Sequence, residues 1–353
     1  MGLIRRNISE EVKNVKEAVE SENDSDLSFI TRKVNMDLVV STGSTLLDLA
    51  ISGKRRRGGG VPGGIVMEIF GGEGAGKTAI LAEILAHIQK KGGSAKFLDP
   101  EARLDREYAR IYEMELETED YSRPDTVEEI FKVIKEWKPK DNTKINGIGT
   151  DSLAALSTEL EMDKGDKMGM KRAKEFSTGF RQIARLITNN NWLLACTNQI
   201  RQGDYGEVTP GGKAIAFYSS LRLRVRQQRL IEVDKVLESG VKVSKAIGIH
   251  SEVYVKKSTL DDPYRSCDIY IIFGYGIDDI RGNLQYIKDM TKSTKYICPD
   301  GQSYQSLNMA IQHIEKENLE NELKEKTIDL WEEIEAKFDI HRKKKDRGDE
   351  HGR

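Results

Sequence analysis

Between residues 65 and 199, short apolar runs of strand length alternate with segments whose apolar residues recur at helical spacing. Ile65–Phe70 reads as a buried strand, and Ala79–Lys91 as a helix that stops at Gly92-Gly93. Ser94–Asp99 is a second strand and Thr126–Trp137 a second helix. Ile145–Asp151 is a further strand, weakened by Gly147 and Gly149. Ala173–Asn190 is a helix with Phe176, Phe180, Ile183 and Ile187 on one face and Lys174, Arg181 and Arg185 on the other. Trp192–Thr197 is a central strand ending in Asn198-Gln199.

From Ser220 the period changes to two. Leu221, Leu223 and Val225 alternate with Arg222, Arg224 and Arg226, a half-buried strand with a basic outer face. Further strands are expected around Val241–Val243, Glu252–Val255 and Asp268–Phe273. Alternating strands and helices followed by antiparallel strands predict an α/β fold with a mixed, mostly parallel sheet. Residues 276–340 are mostly helical, around Ser306–Lys316 and Leu319–Phe338, and read as a small separate lobe. Residues 341–353 form a basic tail, expected to be disordered. At the other end, Ile8, Val12, Val15 and Val19 recur at helical spacing behind a capping box of Asn7 and Glu10. A polar linker, Glu20–Asp26, leads to the strand-like Leu27–Thr31. This helix and strand, residues 1–35, cannot bury their own apolar faces and require a partner surface.

The chemistry concentrates in Gly71-Gly72-Glu73-Gly74-Ala75-Gly76-Lys77-Thr78-Ala79, which fits the phosphate-cradling pattern G-x-x-x-x-G-K-[ST]. Glycines let backbone N–H groups curl around an anion, and the following helix adds its N-terminal dipole. Lys77 would reach the β- and γ-phosphates, and the Thr78 hydroxyl would ligate Mg²⁺. The flanking strand and helix are the context the motif needs, so the chain is expected to bind a nucleoside triphosphate. Pro100–Asp105 follows the second strand, at the carboxyl end where open α/β sheets place ligand chemistry. Glu101 there is placed to activate a water.

The chain has 353 residues, more than one compact core usually holds, which suggests a large domain with satellites. Its net charge is only −2, so any nucleic-acid contact must come from local clustering. Lys54–Gly60 is a basic, glycine-rich loop, either plainly solvated or a phosphate contact. Cys196, Cys267 and Cys298 have no metal-ligand spacing and read as free thiols in a reducing compartment. No signal peptide or membrane-length apolar run is evident, so a cytoplasmic protein is expected.

Ser41-Thr42-Gly43-Ser44, the phosphate loop, Phe97–Ala102, Asp151–Leu156, Thr197–Arg201 and Gly211–Arg226 together resemble the bacterial RecA recombinases in order and spacing. The resemblance spans residues 36–275, an ATPase and DNA-binding core of RecA type. It implies that Glu101 is the catalytic glutamate and that Asp151 closes the Mg²⁺ site through water. It further implies that Asp105 and Tyr108 hold adenine, and that Gln199 senses the γ-phosphate and couples it to DNA. Met168-Gly169 in a first loop and Tyr205, Gly211, Gly212 and Lys213 in a second would hold single-stranded DNA, with Arg181 and Arg201 near its backbone. Arg222, Arg224 and Arg226 would receive a homologous duplex. Lys257, with Lys256 in place of a second family lysine, would reach a neighbouring subunit's ATP. Phe29 and Ile30 would anchor the polymerisation strand.

The departures are a shortened second loop that lacks the family phenylalanine, the two glycines before Asp151, Thr259 at a lysine position, and a basic tail. The expected function is ATP-dependent filament formation on single-stranded DNA, with homologous pairing and strand exchange in recombination and repair. The alternatives are a RecA-fold ring helicase, a regulatory ATPase, or a scaffold filament without exchange.

Overall fold

A computed structural model describes residues 34–157, 169–203, 206–211 and 213–342. The expected N-terminal helix and strand with Phe29 and Ile30, Met168, Tyr205, Gly212 and the tail from Lys343 lie outside the described residues.

The chain enters through β1 (Val39–Val40), which pairs with β2 (Val61–Pro62) around helix α1 (Thr45–Ser52). Ser44 caps α1 by accepting from the Leu47 N–H. The centre is β3 (Ile65–Gly71), buried at every position, followed by the phosphate loop and α2 (Lys77–Lys90). Then come β4 (Ala95–Leu98), α3 (Arg106–Ile111), β5 (Tyr121–Ser122) and α4 (Val127–Glu136). α4 opens on a complete capping box between Thr126 and Glu129. β6 (Asn146–Thr150), α5 (Gly169–Asn189) and β7 (Trp192–Gln199) complete the parallel half. A small hairpin, β8 (Arg201–Gly203) with β9 (Gly206–Val208), and the short α6 (Lys213–Tyr218) lead into β10 (Leu221–Val236).

β10 continues into β11 (Lys242–Ser258), β12 (Ser266–Ile272) and β13 (Gly276–Ile277). Among the described residues nine strands form one sheet, in the order β13-β12-β11-β10-β3-β7-β6-β4-β5. The pairs from β10 to β5 are parallel, and those from β10 to β13 antiparallel. The mixed, mostly parallel sheet is as the alternation of apolar runs predicts.

One side of the sheet is packed by α4 and α5. Phe176, Phe180, Ile183 and Ile187 meet Phe131, Ile130, Leu194 and Trp192 there, so the predicted apolar face of α5 is the buried one. α2 covers the other side. Gly147 and Gly149, which weaken the strand signal in sequence, are where α2 comes closest. A Cβ on Gly147 would lie 2.3 Å from Ile88 Cδ1, and one on Gly149 2.6 Å from Leu85 Cδ1. Space, not backbone freedom, requires these two glycines.

Two features depart from the sequence reading. The strands expected around 241–243 and 252–255 are one 17-residue strand, β11. With β10 it forms a long ribbon that runs past the sheet and exposes Leu230, Val236, Leu237, Val241 and Val243. The basic loop at 54–60 is not a free cationic segment. Arg57 pairs with Glu325, Asp329 and Glu332, and Lys54 with Asp262 and Asp339. Arg55 donates to the Leu260 carbonyl, and Arg56 to the carbonyls of Met36 and Asp37.

The C-terminal segment comprises α7 (Asp279–Thr291), the hairpin β14 (Tyr296–Ile297) with β15 (Ser303–Tyr304), α8 (Leu307–Glu317) and α9 (Glu320–Ala336). It has its own small core of Leu284, Cys298, Ala310, Ile314 and Leu323. A second cluster, Leu49, Ile328 and Trp331, joins α9 to α1. The described residues from Met36 onward form one compact unit. The three cysteines are free thiols, as expected from their spacing. No described helix is long and apolar enough to cross a membrane.

Candidate functional site

The carboxyl ends of β3, β4, β6 and β7 open into a cavity of about 570 Å³. Its floor is the phosphate loop, where Gly74 (φ +67°) and Gly76 (φ +95°) take left-handed conformations closed to most side chains. At Gly76 a Cβ would also lie 2.3 Å from Ile271 Cδ1. Gly71 ends β3, Gly72 is half-buried, Glu73 and Gly74 are exposed, and Ala75 and Ala79 are buried. Lys77 Nζ donates to the carbonyls of Gly71 (3.1 Å) and Gly72 (2.6 Å), which holds the ammonium over the loop. Burial lowers its pKa, partly offset by Asp151, Glu101 and Glu73.

Thr78 and Asp151 come together as the motif reading requires. Thr78 Oγ1 donates to Asp151 Oδ2 at 2.5 Å, and Thr197 Oγ1 donates to Oδ1. Burial pushes the Asp151 carboxyl up, while the two hydroxyls pull it down. A hydroxyl and a carboxylate side by side are hard oxygen donors, so these residues fit Mg²⁺.

Glu101 faces the same cavity, with its side chain 12% exposed. Ser152 Oγ donates to one carboxylate oxygen (2.5 Å), and Arg103 pairs with the other (2.8 Å). The loop carrying both residues is shaped by the buried Asp99, which accepts from the N–H groups of Arg103 and Leu104 and from the Tyr121 hydroxyl (2.7 Å). Gln199, at the end of β7, also lines the cavity. The far wall is apolar, with Tyr108, Tyr112, Ile271 and Phe273. The Tyr112 hydroxyl donates to that of Tyr108 at 3.2 Å, with ring centroids 5.2 Å apart. Sequence reasoning singled out Glu101 and Tyr108. It missed Ser152, Arg103, Tyr112, Ile271 and Phe273, which reach the cavity from three separate elements and carry no motif of their own.

Other expected residues lie outside this cavity. Asp105 caps α3, accepting from the Tyr108 N–H at 2.6 Å, and does not line this cavity. Lys257 donates to the carbonyls of Ala216 and Phe217, and neither it nor the exposed Lys256 lines the cavity. Gly169 begins α5. Arg181, Arg201 and Lys213 are exposed. Gly211 (φ +90°) is tightly enclosed, for a Cβ there would meet Ile215 Cδ1 at 2.5 Å.

The arginine face of β10 is not uniformly free. Arg222 pairs with the fully buried Glu68 at 2.5 Å and lies over the Phe70 ring. Asn198 donates to the same Glu68 and to the Pro210 carbonyl, which ties the second loop to the sheet. Arg226 pairs with Glu252 at 2.9 Å, and Arg224 is half-buried.

Strand, glycine loop, helix and a hydroxyl–carboxylate pair on a mostly parallel sheet define the class: an α/β protein with a phosphate loop. The profile of the RecA N-terminal domain matches residues 9–278. A relative from Trichodesmium erythraeum (strain IMS101), called Protein RecA, is 35% identical over 280 residues, 77% of this chain and 72% of the relative. Proteins of the same name from Thermus aquaticus and Thermus thermophilus are 36% identical over 255 residues and 34% over 249, covering 70% and 69% of each chain. The chain belongs to the RecA family.

Proposed function

We propose that this chain is a DNA-dependent ATPase that polymerises on single-stranded DNA and pairs it with a homologous duplex. The observation that carries the reading is the meeting of Lys77, Thr78, Asp151 and Glu101 in one cavity at the sheet's carboxyl edge. Lys77 and the loop amides bind the triphosphate, and Tyr108, Ile271 and Phe273 offer apolar surface to the base. Thr78 and Asp151 hold Mg²⁺, which supplies charge neutralisation at the phosphates. Glu101 takes the proton of the attacking water. Met168, Gly169, Arg181, Arg201, Tyr205, Gly211, Gly212 and Lys213 serve the single strand, and Arg224 and Arg226 the incoming duplex. Lys256 and Lys257 serve the nucleotide of a neighbouring subunit. Phe29 and Ile30 link subunits into a filament, and the protein works in the cytoplasm in recombination and repair.

The test is displacement-loop formation with ATP, Mg²⁺ and a labelled single strand, using homologous and heterologous duplex. Joint molecules with the homologous duplex alone are expected. A second reading, a filament that binds DNA without exchange, is favoured by the engagement of Arg222 and Arg226 with Glu68 and Glu252. Filaments without joint molecules would select it.

A further inference from the structure

We propose that Arg103 is a mobile cation within its own subunit's nucleotide site. It pairs with Glu101 and transfers to the γ-phosphate when a triphosphate binds. The inference rests on the reading of Glu101 as the residue that activates water.

Both oxygens of Glu101 are occupied, one by the Ser152 hydroxyl at 2.5 Å and the other by the Arg103 guanidinium at 2.8 Å. Each oxygen keeps a further lone pair, but a guanidinium on Oε2 crowds the approach of a water from that side. Loosening one contact opens an oxygen to the water, and the two differ in how easily they can loosen. Ser152 is buried, 2% exposed, whereas the Arg103 side chain is 74% exposed. The backbone beneath Arg103 is fixed, since its N–H and that of Leu104 donate to the buried Asp99. A pinned backbone with a solvated side chain lets the guanidinium move while the loop stays in place. Arg103 also borders the same cavity as Lys77 and Thr78.

A terminal phosphate carries more negative charge than one carboxylate and accepts the guanidinium fork through two oxygens. Its arrival therefore competes for Arg103, and one movement has two effects. Glu101 Oε2 is released to take a proton, and a cation is added where charge develops on the transferring phosphoryl group. In the step, the water oxygen bonds to the γ-phosphorus as the bond to the β,γ-bridging oxygen breaks. That electron pair stays on the diphosphate, and the water proton passes to Glu101. ADP lacks the γ-phosphate and leaves Arg103 on Glu101, so the device distinguishes the two nucleotides.

The test measures ATP and ADP affinities with a fluorescent nucleotide, and turnover with and without single-stranded DNA. The variants are Arg103→Ala, Arg103→Lys, Glu101→Gln and the double variant Glu101→Gln/Arg103→Ala. Arg103→Ala is expected to lower kcat about 10²-fold, the low end of what losing one transition-state donor costs. It should weaken ATP but not ADP binding, and Arg103→Lys should recover part of both losses. Glu101→Gln frees the arginine, so ATP should bind roughly two- to five-fold tighter, matching an exposed ion pair no longer broken. The double variant should lose that gain.

Wild-type turnover in Arg103→Ala, or a rise in it, overturns the transfer, as does an equal loss of ATP and ADP affinity. Wild-type turnover in Glu101→Gln overturns the catalytic reading and this proposal together. Lost turnover in Glu101→Gln beside an unaltered Arg103→Ala overturns the arginine transfer alone.

Discussion

Glu83, on α2, does not line the nucleotide cavity and lies near Gly43, just before α1, and Ile277 of β13. It accepts from the Ile277 N–H at 3.3 Å, and His87 Nδ1 lies 3.7 Å from its Oε2. Burial, aided by Asp279 and Glu113 and opposed by the Ile277 N–H and Lys90, raises its carboxyl to about 7. Burial raises Asp48 to about 6, against hydrogen bonds from Ser41 and Thr42. Both acids hold their proton more tightly when folded than when unfolded. Their contribution to stability is full below the ordinary carboxylate range and is lost as pH rises through about 6 and about 7. Glu83→Gln should flatten this loss, gaining on the wild type between pH 5 and 7.5 by on the order of 3 kcal/mol. Denaturant unfolding across that range checks it, and parallel curves for the two proteins would refute it. The burial behind the shift has no sequence signature, because Glu83 reads as an ordinary polar position of an amphipathic helix.

At the scale of elements, the contact between β6 and α2 tests why two glycines sit in a central strand. Gly147→Ala puts a methyl within 2.3 Å of Ile88 Cδ1, so overpacking should cost about 1–3 kcal/mol. Adding Ile88→Ala should return part of that cost, and a double-mutant cycle by urea unfolding reads the coupling. Additive losses would mean that the glycines serve something other than this packing. The strand itself was legible from its position between turn signals, but the reason for its glycines was not, since it lies on a helix some sixty residues earlier. The β10–β11 ribbon shows the same limit in reverse. Period-two alternation was visible from Leu221 to Arg226, where one face is buried, but faded where β10 leaves the sheet and is exposed. Outside the sheet the residues face solvent on both sides, so no in–out pattern marks them.

Over the whole molecule, the C-terminal segment and the nucleotide-binding core meet at Leu49, Ile328 and Trp331. Arg265 lies over the Trp331 ring, and Gly53 leaves room for it. Trp331→Ala should cost about 3–5 kcal/mol and split a single thermal transition into two, with the segment that has its own core melting apart from the sheet. Calorimetry decides, and one unsplit transition near the wild-type temperature would show that the seam carries little. The basic loop at 54–60 crosses the same seam, because Arg57 reaches three carboxylates of α9. A run of arginines looks the same in sequence whether its partners are phosphates or carboxylates far along the chain.

The sequence by itself determined the alternation of elements, the phosphate loop and the acids that follow the strands. These depend on local periodicity and on residues adjacent in the chain, such as Lys77 beside Thr78. Only the tertiary structure decided which groups close on those acids. Ser152 and Arg103 hold Glu101, Thr197 joins Thr78 at Asp151, and Glu68 claims Arg222. The physical reason is that a buried charge must find its partner in space. A parallel sheet brings those partners, the neighbouring Arg103 apart, from strands that the chain visits far apart, where no local pattern records the meeting.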